Sequence, residues 1–159
     1  MLIVGCGCRG QALARELVPA GHAVRGTTRS ADRKAAIEAA GAEAVVADPD
    51  RLASLLPWIE GVSAVCCLLA SATGEPQQVA ALHGPRLCSL LERLVDSPVR
   101  GFVYEATGAV DPIVVEGAVA AVRGAGESFR MPVELVTADP DDHGPWLAAA
   151  SAAVGRVLG

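Results

Sequence analysis

One lysine, Lys34, and one tyrosine, Tyr104, are all the chain has of either residue in 159 positions, with two tryptophans and two phenylalanines completing its aromatics. Any chemistry that pairs a tyrosine with a lysine is restricted to those two residues. Positive charge is scarce as well: 13 Lys and Arg stand against 18 Asp and Glu, a formal net charge of -5. That balance leaves no basic field for nucleic acid or for an anionic membrane surface. No apolar run approaches the ~18 residues of a membrane span, and Met1-Leu2-Ile3-Val4-Gly5 has neither the basic region nor the apolar length of a secretory signal. A soluble, cytoplasmic protein without membrane or nucleic-acid partners is expected. His22, His83 and His143 are scattered, and Cys6-x-Cys8 has no second pair at zinc spacing, so no metal site is expected. Five cysteines make an odd set, and Cys66-Cys67 fall within a run that reads as buried strand. Reduced thiols fit this better than a disulfide framework.

What the chain does have is apolar residues, at 52%, and at this length a domain buries roughly 70% of its unfolded surface. A single domain over residues 1–159 is expected. Short β-type runs alternate with helical periodicity throughout. The strands read as 2–5, 23–28, 43–47, 62–69, 99–105 and 132–137. The helices read as 11–20, 33–40, 50–59, 77–95, 113–123 and 146–158, the 77–95 helix interrupted at Gly84-Pro85, because proline lacks a backbone donor. Ser30 or Asp32 can cap the second helix and Asp142 the last. The run from Val62 to Leu69 is apolar but for Ser63, as in a parallel strand covered on both faces, and should lie at the sheet centre. The alternation predicts a three-layer, doubly wound α/β fold with about six parallel strands.

Gly5-Cys6-Gly7-Cys8-Arg9-Gly10 is a G-x-G-x-x-G between the first strand and the first helix. Such a turn uses one glycine to bend, a second to admit a pyrophosphate to the backbone and a third to seat the helix against the strand. The helix N-terminus then offers free N–H groups to an anion. Dinucleotide binding is the leading reading, with Gly5, Gly7, Cys8 and Gly10 in the cradle and Arg9 as a further phosphate contact. The stretch Arg25-Gly26-Thr27-Thr28-Arg29-Ser30 has no acid to hold the two hydroxyls of an NAD ribose. Thr28, Arg29 and Ser30, with Arg33 and Lys34 behind them, instead suit a 2′-phosphate, so NADP is favoured and NAD stays possible. The competing reading makes these basic residues a solvated helix start. Asp48 stands where the adenine ring is met and can also cap the helix that follows.

Three stretches carry a family likeness: Val4 to Ala14 through the glycine turn, Gly21 to Ser30, and Gly61 to Val65, with Asp48 between. They resemble the atypical short-chain dehydrogenase/reductase group of NAD(P)-binding, epimerase-like and NmrA-like proteins. The resemblance implies a Rossmann fold with strand order 3-2-1-4-5-6 and a nicotinamide dinucleotide along the carboxyl ends of the strands. It also implies a catalytic Tyr-x-x-x-Lys on the helix after the fifth strand, and here the chain departs: Ile113 to Arg123 contains neither residue. Only residues 138–159 follow the sixth strand, so the substrate-gripping extension of extended relatives is expected to be lacking.

The mouth of the sheet should be lined by Leu69 and Ala70 with Ser71 to Thr73, and by Glu105 to Gly108. Thr107 and Glu105 are the polar candidates for catalysis there, hydrogen bonding within the loop being the alternative. Cys6 and Cys8, beside a helix N-terminus, admit a redox-sensing role or simple close packing. Three readings of function stay open. One is an NADP-binding protein without standard dehydrogenase catalysis, acting as sensor, regulator or subunit. The second is an oxidoreductase or epimerase-like enzyme using other residues, and the third an interaction domain with a vestigial site. Surplus apolar residues favour a homo-oligomer, with helices 77–95 and 146–158 as candidate faces.

Overall fold

The computed structural model describes all 159 residues. Six parallel strands, β1 (Leu2–Val4), β2 (Arg25–Thr28), β3 (Glu43–Val46), β4 (Ala64–Cys67), β5 (Gly101–Glu105) and β6 (Val133–Val136), form one sheet in the order β3-β2-β1-β4-β5-β6. The helices are α1 (Cys8–Leu17), α2 (Lys34–Glu38), α3 (Leu52–Ile59), α4 (Pro76–His83), α5 (Pro85–Leu94), α6 (Pro112–Phe129) and α7 (His143–Leu158). This is the doubly wound architecture expected from the alternation of patterns.

Strand residues alternate between two apolar layers. Ile3, Cys66 and Val103 face α1, α2 and α7 with Leu13, Ile37, Trp146 and Val154. Leu2, Val4, Val65, Cys67, Phe102 and Tyr104 face the opposite layer, with Leu55, Leu87, Leu91, Leu94 and Val122 from α3, α5 and α6. A strand buried on both faces has no polar side to show, which is why β4 reads as a continuous apolar run. Burial pushes the Cys66 and Cys67 thiols up to about 12, so both are protonated core side chains.

Element ends differ from expectation where proline and glycine act in context. The first helix starts at Cys8 rather than Gln11, because Gly7 takes the N-cap position, and it ends at Leu17, two residues before Pro19. Val18 keeps helical geometry and bonds back to Ala14, but Pro19 has no N–H with which to continue the ladder. α6 runs on through Gly124 and Gly126 to Phe129. Gly126 is a packing position: a Cβ there would lie 2.7 Å from Val133 Cγ2. At Gly84-Pro85 the expected break divides α4 from α5. Neither Ser30 nor Asp142 caps through its side chain, although both occupy N-cap positions.

The apolar faces of α5 and α7, expected to be available to a second copy, are consumed by the core through Leu87, Leu90, Leu91 and Leu94, and through Trp146, Ala150, Ala153, Val154 and Val157. No helix is long and apolar enough to cross a membrane. α7 lies so close to β5 that a Cβ on Gly101 would stand 2.5 Å from Val157 Cβ and 2.7 Å from its carbonyl oxygen. Gly101→Ala is therefore expected to cost about 1–3 kcal/mol through overpacking. Gly117→Ala, in α6 with open space around the position, should stabilise by about 0.5–1 kcal/mol. Chemical denaturation of both variants measures the contrast.

Candidate functional site

The carboxyl end of β1 turns sharply at Gly5, whose φ is +82°. A Cβ at Gly5 would stand 2.6 Å from the Leu68 carbonyl oxygen, so both conformation and space demand glycine. Gly10 lies inside α1, where a Cβ would meet Ile3 Cγ2 at 3.1 Å and Cys6 Sγ at 3.2 Å. It sets the approach of helix to strand. Gly7 is different: no protein atom lies within 4 Å of where its Cβ would be. Packing gives no reason for a glycine there, and the open space is the cleft.

Neighbouring strands hold the turn in place. Gly5 donates its N–H to Thr27 Oγ1 at 3.1 Å, and Cys6 donates to the Thr27 carbonyl at 3.0 Å. Gly7 N–H is taken by the Gly5 carbonyl, and the first helical bond runs from Gln11 N–H to the Gly7 carbonyl. The N–H groups of Cys8, Arg9 and Gly10, which precede that bond, have no acceptor within the protein, and Gly7 provides no side-chain cap. These unpaired donors stand at the positive end of the helix dipole, and Cys8 is the one of the three residues that borders the cleft.

Above them lies a cleft of about 590 Å³ along the carboxyl ends of β1 to β4. Of the residues expected to hold a dinucleotide, Gly5, Gly7, Cys8, Thr28, Arg29, Asp48 and Leu69 line it. Arg33 joins Arg29, and neither guanidinium enters an ion pair. Thr28 Oγ1 donates to the Ser30 carbonyl and accepts from its N–H, both at 3.2 Å, which closes the loop carrying Arg29. Asp48 caps no helix; its Oδ1 accepts from Asp50 N–H at 3.0 Å in a local turn. Gln11, Gln78, Val79 and Leu82 also line the cleft. They come from helix faces whose rotation the sequence pattern left undefined.

Four expected contacts fall elsewhere. Gly10 is beneath the turn, and Ser30 and the buried Ala70 do not line the cleft. Arg9 turns away from the phosphate position: its Nε donates to Glu105 Oε1 at 2.8 Å, and its guanidinium lies 5.6 Å from the Trp146 ring centre. Glu105 has no solvent exposure, and its other oxygen accepts Ala70 N–H at 3.1 Å. This carboxylate is fully engaged and is no free base. Thr107 donates its hydroxyl to the Thr137 carbonyl at 3.1 Å, so the second catalytic candidate serves loop structure too. Cys6 is buried and its thiol is pushed up to about 11, which removes it as a redox sensor. Its sulfur would meet a Cβ on Gly26 at 2.6 Å, so close packing explains this residue.

The lone tyrosine lies on the other face of β5, away from Lys34. Tyr104 and His83 are both buried, with the hydroxyl 2.6 Å from Nδ1 and the opposite ring nitrogen 3.2 Å from the Leu69 carbonyl. A carbonyl only accepts, so Nε2 carries the proton and Nδ1 accepts from the tyrosine. The pair anchors the end of α4 to the loop after β4.

A second cleft, of about 480 Å³, opens at the amino ends of β5 and β6. Arg100, Arg130 and Arg156 line it, where α5, α6 and α7 all present their C-termini. Cations at carbonyl-rich helix ends are accounted for by the dipoles. Arg156 is in addition paired with Glu134 at 2.9 Å.

Comparison with known proteins matches the family described as NAD(P)H-binding to residues 5–123. No functionally curated protein matches the chain. Among solved structures, gox2253 superposes with a TM-score of 0.72 at 19% identity, over 84% of this chain and 49% of that one. UDP-glucuronic acid 4-epimerase from Bacillus cereus, solved in complex with NAD, gives 0.69 at 15% identity, over 84% and 53%. Triphenylmethane reductase from Citrobacter sp., complexed with NADP(H), gives 0.64 at 15% identity, over 85% and 48%. The chain spans about half the length of these proteins.

Two outcomes test the site as built. Arg9→Met strands the Glu105 carboxylate and is expected to cost about 3 kcal/mol, whereas Arg9→Met/Glu105→Gln keeps an acceptor for Ala70 without the charge and should recover more than half of it. Urea unfolding of the three proteins gives both numbers. Burial holds His83 below its usual 6.5 and Tyr104 above its usual 10, so the folded pair stays neutral. Below pH 6.5 the unfolded chain gains a proton that the folded one refuses, and stability falls; above pH 10 it falls again as the unfolded tyrosine ionises. Urea midpoints measured from pH 5 to 8 should decline on the acid side, and His83→Gln should flatten that decline while lowering the midpoint at pH 8.

Proposed function

The chain belongs to the NAD(P)H-binding family, and from that membership we propose an NADP(H)-binding protein that acts as a sensor, regulator or subunit and does not use tyrosine–lysine dehydrogenase chemistry. The observation that carries the binding site is Gly7. It is the one glycine of the turn without a packing partner, and with Cys8 it opens onto a cleft at the first turn of α1, whose leading N–H groups lack acceptors. A diphosphate fits donors arranged in this way. Arg29 and Arg33, unpaired at the end of β2 with no carboxylate between Gly26 and Ala31, support a 2′-phosphate over a free ribose diol.

The catalytic half of the proposal rests on residue placement. α6 contains neither tyrosine nor lysine. Tyr104 is sealed in the core against His83, and Lys34 starts α2 at the opposite side of the sheet. Bound nicotinamide would supply hydride chemistry, but Glu105 and Thr107 present no unengaged group to move a proton beside it.

Calorimetric titration tests the binding. NADPH should bind more tightly than NADH, and Arg29→Ala should weaken NADPH by about tenfold or more, since a charged hydrogen bond contributes about 1.5–3 kcal/mol, while leaving NADH within about twofold. Gly7→Val should abolish binding of both at a cost to the ligand-free fold below about 1 kcal/mol. Failure of the wild-type chain to bind either dinucleotide at millimolar concentration would sink the reading.

A further inference from the structure

In a doubly wound sheet of this order, each three-strand half serves one mononucleotide of a dinucleotide. The cleft here is unequally divided between them. The first half contributes the glycine turn and the ends of β2 and β3. The second contributes the loop after β4 and the inner face of α4, and no residue of β5, of β6 or of the loop after either lines the cleft.

The cause is a knot around Ala70. Its N–H donates to Glu105, and its carbonyl accepts from Ala109 N–H at 2.9 Å and from Val110 N–H at 3.3 Å. Gly108 sits so near that a Cβ would come within 2.4 Å of the same oxygen. The loop after β5 is thereby drawn down onto the loop after β4, where the second half would open. Charge is removed along with space. An oxidised nicotinamide is a cation and a reduced one is neutral, so an unbalanced charge nearby would tell them apart. Glu105 is the one carboxylate at the ends of β4 and β5, and Arg9 balances it at 2.8 Å.

Resting on the cofactor reading above, we propose that the site recognises the ADP-ribosyl half of the dinucleotide and is indifferent to the redox state of the nicotinamide. The protein then responds to the size of the cofactor pool and not to its oxidised-to-reduced ratio. Other ligands carrying the same half, such as 2′-phospho-ADP-ribose, bind as the whole dinucleotide does.

Calorimetry on the full chain tests this with NADP⁺, NADPH and 2′-phospho-ADP-ribose, alongside NAD⁺, NADH and ADP-ribose. Within whichever trio binds more tightly, the three dissociation constants are expected to agree within about fivefold, and Arg29→Ala should weaken all members of the phosphorylated trio by one common factor. A gap above fivefold between oxidised and reduced forms, or between the whole dinucleotide and the fragment lacking nicotinamide, overturns the inference while leaving the cofactor reading intact. Absence of binding by all six compounds overturns the cofactor reading itself and this inference with it.

Discussion

A carboxylate with no exposure to water must have its oxygens paired, and in this molecule the pairing of Glu105 arranges everything around it. One oxygen draws Arg9 out of the glycine turn; the other fixes the backbone at Ala70. Through Arg9 the turn between β1 and α1 is tied to β5 and laid against Trp146 of α7, and through Ala70 the loops after β4 and β5 are held together. A buried ion pair repays its desolvation only when the geometry is good and the remaining lone pairs are used. Here each carboxylate oxygen has a partner, one from α1 and the other from the loop after β4.

The remaining polar groups near the strand ends follow the same logic on a smaller scale. Thr27 is buried and turned toward the glycine turn, while Thr28, one residue on, faces the cleft and braces the loop of Arg29. His83 and Tyr104 satisfy one another and use the last free valence on the Leu69 carbonyl. What is left without a partner is informative by contrast. Cys8 at the start of α1 and the unpaired Arg29 and Arg33 border one open volume, an arrangement of donors and positive charge suited to an anion.

Much of this was legible in the sequence because it is local. The spacing of Gly5, Gly7 and Gly10 encodes bend, approach and packing within six residues, and each glycine has the environment its place in the turn implies. The alternation of patterns gave strand number and direction, and Gly84-Pro85 marked a real break. The illegible parts depend on distant partners. Arg9 looks like a phosphate ligand until Glu105, 96 positions later, is brought beside it. Thr27 and Thr28 differ only in strand parity, which a one-residue shift in the assumed strand would exchange. The helix expected to end at Arg123 runs on to Phe129, and Gly126 within it packs against Val133 of a different element.

The knot that limits the cleft also constrains how this chain can change. Removing Arg9 alone leaves a charge stranded in the core, and removing Glu105 alone releases an arginine and a backbone donor. Enlarging Gly108 alone drives a side chain into Ala70. No single step of this kind widens the second half of the cleft at low cost. Several residues would have to change together to open a pocket there, so the ion pair and the glycine beside Ala70 lock this end of the cleft against single substitutions.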